Sequence, residues 1–356
     1  MAEILGLGLS HFPGPMVPPE LWTKQLVTNV QKGRIPAEVY EDRSSWPEPM
    51  RAEWGDDEGL SSARRHYDEL LAGYRQLRAE LDAFNPDFVL IWGDDQYENF
   101  HKDCIPAFCV YILDEVRCQP LAGNPRGPYR TELNPWGFPS DKELRALGAR
   151  EPANQLARYL LEQGFDISYA YQARSERGLA HSFANTLVYL DYDWRGMDYP
   201  VLPFHVNCYG SEMMKTAAGD KVVELSPPAP SPKRCFEIGR ATARFFAQSP
   251  WRAALIGSAS WSHGTLTPKH HRLYPDYEAD QARLRELRAN RFDEWGRLDL
   301  KQIEDSGQHE MLNWICLAGA MTELGQEAEV LQYAESYLFN SSKCFARFRP
   351  RALTTA

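Results

Sequence analysis

Four short runs of apolar residues constrain the fold of this 356-residue chain more than any other feature. They are Glu3–Leu9, Phe88–Gly93, Pro200–Asn207 and Ala253–Gly257. Because apolar and polar residues do not alternate in these runs, the runs indicate strands that are covered on both faces of a sheet. Strands of this kind are typical of mostly parallel sheets, where helices pack on the two faces.

Segments with helical periodicity lie between these runs. The longest is Ser61–Phe84, where apolar residues recur every three or four positions. The same spacing predicts further helices at Asn154–Gln163, Pro232–Ala247, Asp280–Arg291, His309–Glu323 and Gln326–Glu335. The alternation predicts an α/β fold, a layered single domain over residues 1–356 with a central mostly parallel or mixed sheet flanked by helices. Long irregular loops are expected at about residues 12–54 and 118–140, where they would build a site or cover the surface.

Composition excludes several classes of protein. Lys and Arg number 39 and Asp and Glu number 49, so the formal net charge is −10, which argues against nucleic acid as a partner. No apolar stretch approaches the about 18 residues that a membrane span needs. The seven cysteines are odd in number and include no CxxC pair, so we expect reduced thiols and a cytoplasmic protein without a signal peptide.

Polar residues follow each apolar run at its carboxyl end. They are His11; Asp94, Asp95 and Gln96; His205 and Asn207; and Ser262 and His263. Taken singly, such a histidine is more often a hydrogen-bonded surface or core group, and such an acidic pair is often a helix cap. In open α/β sheets, however, ligands collect outside the carboxyl ends of the strands. The joint placement therefore predicts an active site at this edge of the sheet.

Two further segments carry residues of the same chemistry. His181 follows a glycine-containing turn at Arg177–Ala180, and Glu310 precedes the apolar helix that begins near Met311. A carboxylate in the first turn of a helix is either favoured by the helix dipole or delivered to a metal. A serine nucleophile is a weak alternative, since Gly257–Trp261 lacks the closing glycine of a nucleophile elbow.

Five blocks of the sequence, in order, resemble the class III extradiol ring-cleavage dioxygenases, the family of the catalytic subunit of protocatechuate 4,5-dioxygenase. The blocks are Gly6–Pro13, Asn85–Phe100, Pro203–Asn207, Gly257–Gly264 and Ser306–Trp314. The resemblance implies a non-haem iron enzyme that cleaves the ring of a catechol- or aminophenol-like aromatic with O2. In such enzymes two histidines and one carboxylate hold Fe(II) and leave positions open for substrate and O2.

The resemblance also implies a role for each matching residue. His11 and Glu310 would be metal ligands, and His263 would be the catalytic acid/base. His181 would be a second catalytic histidine near the oxygen or the substrate, and His205 would contribute to substrate binding. The partners implied are a small aromatic substrate and O2, and a homo-oligomer is expected.

Position 96 departs from the family pattern, because Gln96 stands where the family has its second ligand histidine. Three outcomes are open. Gln96 ligates the metal through its amide oxygen, or Asp94, Asp95 or His101 substitutes for it, or metal binding is lost. Loss of the metal would leave a non-oxidative hydrolase or lyase, or a binding protein for a small aromatic.

Overall fold

The fold is built on a mixed β-sheet, seen in a computed structural model that describes residues 3–122, 133–210 and 227–350. Within these ranges eight strands form one sheet in the order β6–β3–β7–β2–β8–β1–β10–β9. They are β1 (Ile4–Leu9), β2 (Phe88–Gly93), β3 (Phe108–Tyr111), β6 (Ser168–Ala170), β7 (Val201–Val206), β8 (Ala253–Ser258), β9 (Gln326–Ala334) and β10 (Lys343–Pro350). A separate two-stranded sheet pairs β4 (Glu115–Cys118) with β5 (Leu144–Leu147).

The four apolar runs form the centre of the sheet. They are β7, β2, β8 and β1, which lie side by side and pair in parallel. Every residue of these four strands is buried, which confirms the prediction that they are covered on both faces. Their carboxyl ends therefore meet at one edge. Antiparallel neighbours on either side, β3 and β10, make the sheet mixed.

Helices cover both faces of the sheet. They are α1 (Lys24–Gln31), α2 (Ala37–Glu41), α3 (Glu48–Trp54), α4 (Leu60–Phe84), α5 (Arg150–Glu162), α6 (His181–Leu190), α7 (Pro232–Ala247), α8 (Tyr277–Arg288), α9 (Leu300–Asp305) and α10 (Met311–Glu323). The α5, α7 and α10 helices share one hydrophobic core with Leu90. On the opposite face, α4 and α6 share another core with Val89 and Ile91. No helix of the described chain is long and apolar enough to cross a membrane.

The α7 and α10 helices pack so closely that glycine is required between them. A Cβ atom at Gly239 would lie 1.9 Å from the carbonyl oxygen of Cys316, and one at Gly319 would lie 2.0 Å from that of Phe236. This contact fixes α10 against the sheet. Because Glu310 directly precedes α10, the packing also fixes where that carboxylate lies.

The prediction of a helix at Gln326–Glu335 is wrong, because Gln326–Ala334 is the strand β9. The segment is rich in helix-favouring Glu, Gln, Ala and Leu, but it pairs antiparallel with β10. Ala328 and Val330, two residues apart, pack on the same core. Ladder hydrogen bonds and this shared face outweigh helix propensity, which is a weak and local preference.

The two stretches expected to be irregular differ from each other. Residues 12–54 contain α1, α2 and α3, which pack through the buried side chains of Trp22, Trp46 and Trp54. Helices this short depend on tertiary packing for their stability. They also contain too few residues for an apolar periodicity to be recognised in the sequence. In the second stretch, residues 123–132 lie outside the described residues, and the rest holds one 3-10 turn at Pro120–Ala122. All seven cysteines are free.

Candidate active site and metal centre

Five ionisable side chains meet at the carboxyl edge of the central strands: His11, Asp94, His181, His263 and Glu310. The His11, Asp94 and Glu310 side chains are at most 3% exposed, whereas those of His263 and His181 are 13% and 26% exposed. The two more exposed histidines therefore lie toward the open side of the site, and the carboxylates lie at its floor.

His11 follows β1, and a hydrogen bond fixes which of its nitrogens faces the site. Its Nδ1 donates a hydrogen bond to the carbonyl oxygen of Ser258 at 3.1 Å and lies equally close to Ser258 Oγ. Its Nε2 faces Glu310 Oε2 at 3.2 Å and Asp94 Oδ1 at 3.6 Å. Burial lowers the pKa of His11, but the Glu310 and Asp94 carboxylates more than offset this, so the net pKa is raised.

Glu310 is held by two donors on one oxygen. Its Oε1 accepts hydrogen bonds from the Tyr209 hydroxyl at 2.5 Å and from Gln96 Nε2 at 3.2 Å. The other oxygen, Oε2, faces His11 and lies 3.6 Å from His263 Nε2. Burial by itself raises the pKa of Glu310, but His263 and His11 outweigh it and keep the pKa low. The carboxylate is therefore ionised and turned toward two imidazoles.

Asp94 follows β2 and carries a carboxylate oxygen that accepts no hydrogen bond from the described residues. Its Oδ1 accepts from Asn313 Nδ2 at 3.3 Å, while the fully buried Oδ2 has no donor within those ranges. Burial and the nearby Glu310 raise the pKa of Asp94 to about 6. A buried carboxylate oxygen without a donor is costly, unless a cation satisfies it.

His181 begins α6 and is paired with Glu98. Its Nδ1 lies 2.7 Å from Glu98 Oε1, and the same oxygen accepts the His181 backbone N–H at 3.1 Å. Burial lowers the pKa of His181, but Glu98 outweighs it and raises the pKa to about 10. Sequence reasoning gave no role to Glu98 or Tyr209. Their one signal is position, since each lies two residues after a strand-end residue, Gln96 or Asn207.

Gln96 lies beside Glu310 and presents its amide nitrogen to the site. Nε2 donates to the Tyr209 hydroxyl at 2.8 Å and to Glu310 Oε1. An ionised carboxylate can only accept hydrogen bonds, which assigns the nitrogen of the amide to this side. His101, another candidate ligand, is exposed and lies in a turn next to Tyr97.

The Asp95 side chain holds the backbone of the loop that follows β2. Its carboxylate accepts the backbone N–H groups of Glu98, Asn99 and Phe100 at 2.9–3.3 Å. These bonds fold the loop after β2. They thereby place Glu98 where it meets His181.

His263 and His205 differ in their relation to this centre. His263 Nδ1 lies 2.9 Å from the Trp261 carbonyl oxygen, so its Nε2 faces Glu310, and burial lowers its pKa. The His205 ring packs against Phe100 at a tilt of 42°, with the ring centres 4.6 Å apart, and burial lowers the pKa of His205 to about 3. It lines a small cavity together with Asp95, Tyr97, Phe100, Ile105, Asn207, Tyr209 and Gly210. His205 thus reaches the centre only through this neighbouring cavity.

The serine alternative gains no support from the geometry. Ser258 Oγ lies 2.6 Å from Thr186 Oγ1, and Ser260 Oγ lies 2.6 Å from Ser10 Oγ. His263 is bonded to the Trp261 carbonyl instead. A serine nucleophile needs a base that can accept its proton. His11 Nδ1 lies 3.1 Å from Ser258 Oγ, but the same nitrogen donates to the Ser258 carbonyl oxygen and so cannot accept that proton.

The residues present fit a divalent metal. Within the described ranges, His11, Asp94 and His181 offer ligand atoms that all lie within 4.8 Å of one another. Ligand atoms about 2.1 Å from one ion lie about 3.0–3.4 Å apart at right-angle to tetrahedral geometry. The separations of 3.2 and 3.6 Å from His11 Nε2 to the two carboxylates are close to this. Asp94 Oδ2 and Glu310 Oε2, which are buried without a hydrogen-bond partner in the described part of the chain, are the oxygens that a bound cation would stabilise.

Comparisons with known proteins point to one enzyme family. The family model described as the catalytic LigB subunit of aromatic ring-opening dioxygenase matches residues 57–346. A 2,3-dihydroxyphenylpropionate/2,3-dihydroxicinnamic acid 1,2-dioxygenase of Pseudomonas putida is 27% identical over 203 residues, which cover 57% of this chain and 51% of the relative. The enzyme of the same name from Photorhabdus laumondii is 23% identical over 205 residues, which cover 58% and 52%.

These matches are partial. The chain spans about half the length of the curated relatives it matches. A solved structure of an uncharacterized protein from Escherichia coli K12 aligns with 78% of this chain and 91% of that chain, at 13% identity and a TM-score of 0.46. That similarity is too weak to support a conclusion.

Proposed function

The chain belongs to the family of the catalytic LigB subunit of aromatic ring-opening dioxygenases, and on that premise we propose that it is an Fe(II)-dependent extradiol-type dioxygenase. Its substrate would be a catechol- or aminophenol-like aromatic, cleaved with O2. The observation that carries the proposal is the buried cluster at the sheet edge, where His11 Nε2 faces two carboxylates and His263 faces Glu310.

The metal would be held by His11 and Glu310. The resemblance to the family implies a third metal ligand at position 96. Fe(II), when bound, supplies adjacent open positions for substrate and O2. His11 fits its role because the Ser258 carbonyl holds Nδ1 and leaves Nε2 as the donor atom. Ligation by Gln96, or by Asp94, Asp95 or His101 in its place, stays a prediction.

His263 suits the handling of substrate protons. Its Nδ1 is held by the Trp261 carbonyl, so Nε2 is the nitrogen that can accept a hydroxyl proton. Burial lowers its pKa, which keeps the imidazole neutral at pH 7, as a general base requires. The role of His181 next to O2 or substrate stays a prediction.

The place of the substrate ring, including substrate binding by His205, stays a prediction. The cavity that His205 lines with the rings of Tyr97, Phe100 and Tyr209 has room for about one water molecule, which is too little for an aromatic ring. The relatives are named for their action on 2,3-dihydroxyphenylpropionate. For this chain we propose only that the substrate contains the same catechol ring. A cytoplasmic location and a homo-oligomer also stay predictions.

The proposal is tested with the full chain, loaded anaerobically with Fe(II). We expect about one iron per chain, as a single facial site would hold. Anaerobic addition of catechol, 3-substituted catechols or 2-aminophenol should change the visible spectrum, and admission of O2 should give stoichiometric O2 uptake with a ring-opened product. His11→Ala is the matched control and should lose both signals.

Two outcomes would contradict this proposal. Iron-loaded protein that binds these aromatics without consuming O2 would favour a binding protein. Turnover that persists with a chelator and without O2 would favour a hydrolase or lyase that uses His263 and His181.

A further inference from the structure

Two imidazoles and one carboxylate meet at the sheet edge without any contribution from position 96. His11, Asp94 and His181 offer ligand atoms within 4.8 Å of one another. The His11 and His181 rings meet edge to face, 5.2 Å apart at 82°. Two histidines and one carboxylate on one face are the ligand set of non-haem Fe(II) sites.

Both histidines have the outer contact that metal-bound histidines need. A ligating histidine almost always donates its other ring N–H to a carbonyl or carboxylate, which fixes the ring and raises its basicity. His11 Nδ1 donates to the Ser258 carbonyl, and His181 Nδ1 pairs with Glu98. In each ring Nε2 is the remaining nitrogen. Because Glu98 raises the pKa of His181 to about 10, the His181 Nε2 proton must leave when a cation binds.

Asp94 supplies the carboxylate. It is fully buried, and its Oδ2 accepts no hydrogen bond from any described residue. Its Oδ1 accepts from Asn313 Nδ2 and lies 3.6 Å from His11 Nε2. The backbone carbonyl of the same residue is held separately by the Ser182 hydroxyl at 2.6 Å. Ser182 follows His181, so this bond ties Asp94 and His181 together.

Gln96 is turned away from a ligand role by its own hydrogen bonds. Its amide nitrogen, which has no lone pair for a metal, is the atom that faces Glu310 and Tyr209. Together Gln96 and Tyr209 hold Oε1 of Glu310 and leave Oε2 toward His11. Gln96 is thus placed to orient a carboxylate.

We propose that Asp94 and His181 join His11 and Glu310 as ligands of a first-row divalent cation in this chain, and that Gln96 is a positioning residue that acts through Glu310. The inference rests on the proposed function for the identity of the metal as Fe(II). It gives His181 to the metal instead of to proton transfer. It also explains how the site keeps two imidazole ligands although Gln96 stands where the family has a histidine.

The test measures metal binding by the full chain after chelator treatment, with Co(II) as an anaerobic probe and a competing chelator to obtain Kd. Loss of an outer-shell partner costs about 10–100-fold in metal affinity, so Asp94→Asn and His181→Gln should each lose more than about 100-fold. Asp191→Asn changes another buried aspartate, next to the far end of α6, and should bind Co(II) like the native chain. Gln96→Ala should lose about 10-fold and keep the native Co(II) visible spectrum.

A second measurement can be made on the native chain. Pulsed electron paramagnetic resonance of the native chain with Cu(II) counts the coordinated imidazoles, and we expect two. Gln96→Ala and Gln96→His should also show two, and His181→Gln should show one.

Native affinity in Asp94→Asn and His181→Gln, or three imidazoles in Gln96→His, would overturn the inference. The two proposals fail separately. A chain that binds Co(II) through these residues but cleaves no catechol contradicts only the dioxygenase function. A chain that cleaves catechol while Asp94→Asn keeps its metal contradicts only the ligand set.

Discussion

At the residue scale, the chemistry of the site depends on which nitrogen of each histidine is already occupied. His11, His181 and His263 all have Nδ1 bonded, to the Ser258 carbonyl, to Glu98 and to the Trp261 carbonyl. This leaves Nε2 of each ring for a cation or a substrate proton. Two backbone carbonyl groups and one carboxylate thus fix the orientation of the three imidazole rings before any ligand binds.

His263→Gln tests the proton-transfer role. Because a positioned general base contributes about 100- to 10,000-fold, we expect ring cleavage to slow by that factor in the variant. The Co(II) affinity should stay at the native value, since His263 is outside the proposed ligand set. Steady-state O2 uptake and the Kd for Co(II) check the two parts. A variant that loses the metal would identify His263 as a ligand.

At the element scale, one buried carboxylate connects the segments that carry His263 and Glu310. Asp280, in α8, accepts the Ser262 backbone N–H at 2.9 Å and Gln308 Nε2 at 2.8 Å on the same oxygen. Among the described residues its buried Oδ2 has no donor, and burial raises the pKa of Asp280 to about 7. The two hydrogen bonds favour the ionised carboxylate, but burial outweighs them, so folding favours the protonated form of Asp280.

Asp280→Asn should remove a pH dependence of stability. The folded-state pKa of about 7 exceeds the unfolded value of about 3.9, so the folded state binds the extra proton. The stability that this proton contributes is full below about pH 4 and is lost as the pH rises through 7. Asparagine keeps the Oδ1 acceptor and is neutral at every pH. The variant should therefore gain free energy of unfolding relative to the native chain between pH 5.5 and pH 8.

Urea unfolding at the two pH values measures this difference. Each unit of pKa shift corresponds to about 1.4 kcal/mol, so the gain reaches a few kcal/mol at most. Asp141→Asn, at an exposed position, controls for the loss of one negative charge. An equal gain in both variants, or none in Asp280→Asn, would contradict the prediction.

At the scale of the whole molecule, the sheet joins distant parts of the chain around one acidic centre. Glu310 and Gln96 are 214 positions apart, and Tyr209 is 101 positions from Glu310. Asp94 and Glu310 are both buried there, so a cation that binds only the folded chain should stabilise the entire fold.

Metal should therefore raise the thermal unfolding temperature. At a free Co(II) concentration of 100 times Kd, the expected stabilisation is about 2.7 kcal/mol, or about 4 °C for a chain of this length. Calorimetry over a series of Co(II) concentrations checks the logarithmic dependence, and excess chelator should reverse it. An unfolding temperature that does not change with Co(II) would show that the native fold holds no such site.

Local patterns predicted a large part of this architecture. The bounds of β2 and α7 match the predicted ones, and those of α4 differ by one residue. Apolar runs and helical spacing report which face of an element is buried, and that information is local. The same reasoning failed for β9, whose composition favours a helix while its partner β10 imposes a strand.

The sequence by itself determined the central strands, the edge at which their polar ends meet, and the family resemblance with its gap at Gln96. Only the tertiary structure decided that Asp94 and His181 lie together, that Glu98 holds His181, and that Gln96 donates to Glu310. The physical reason is the separation along the chain of the residues involved. A burial pattern depends on residues of one element, whereas a hydrogen-bond partner or a shared ligand position depends on distant segments that only the packed sheet brings together.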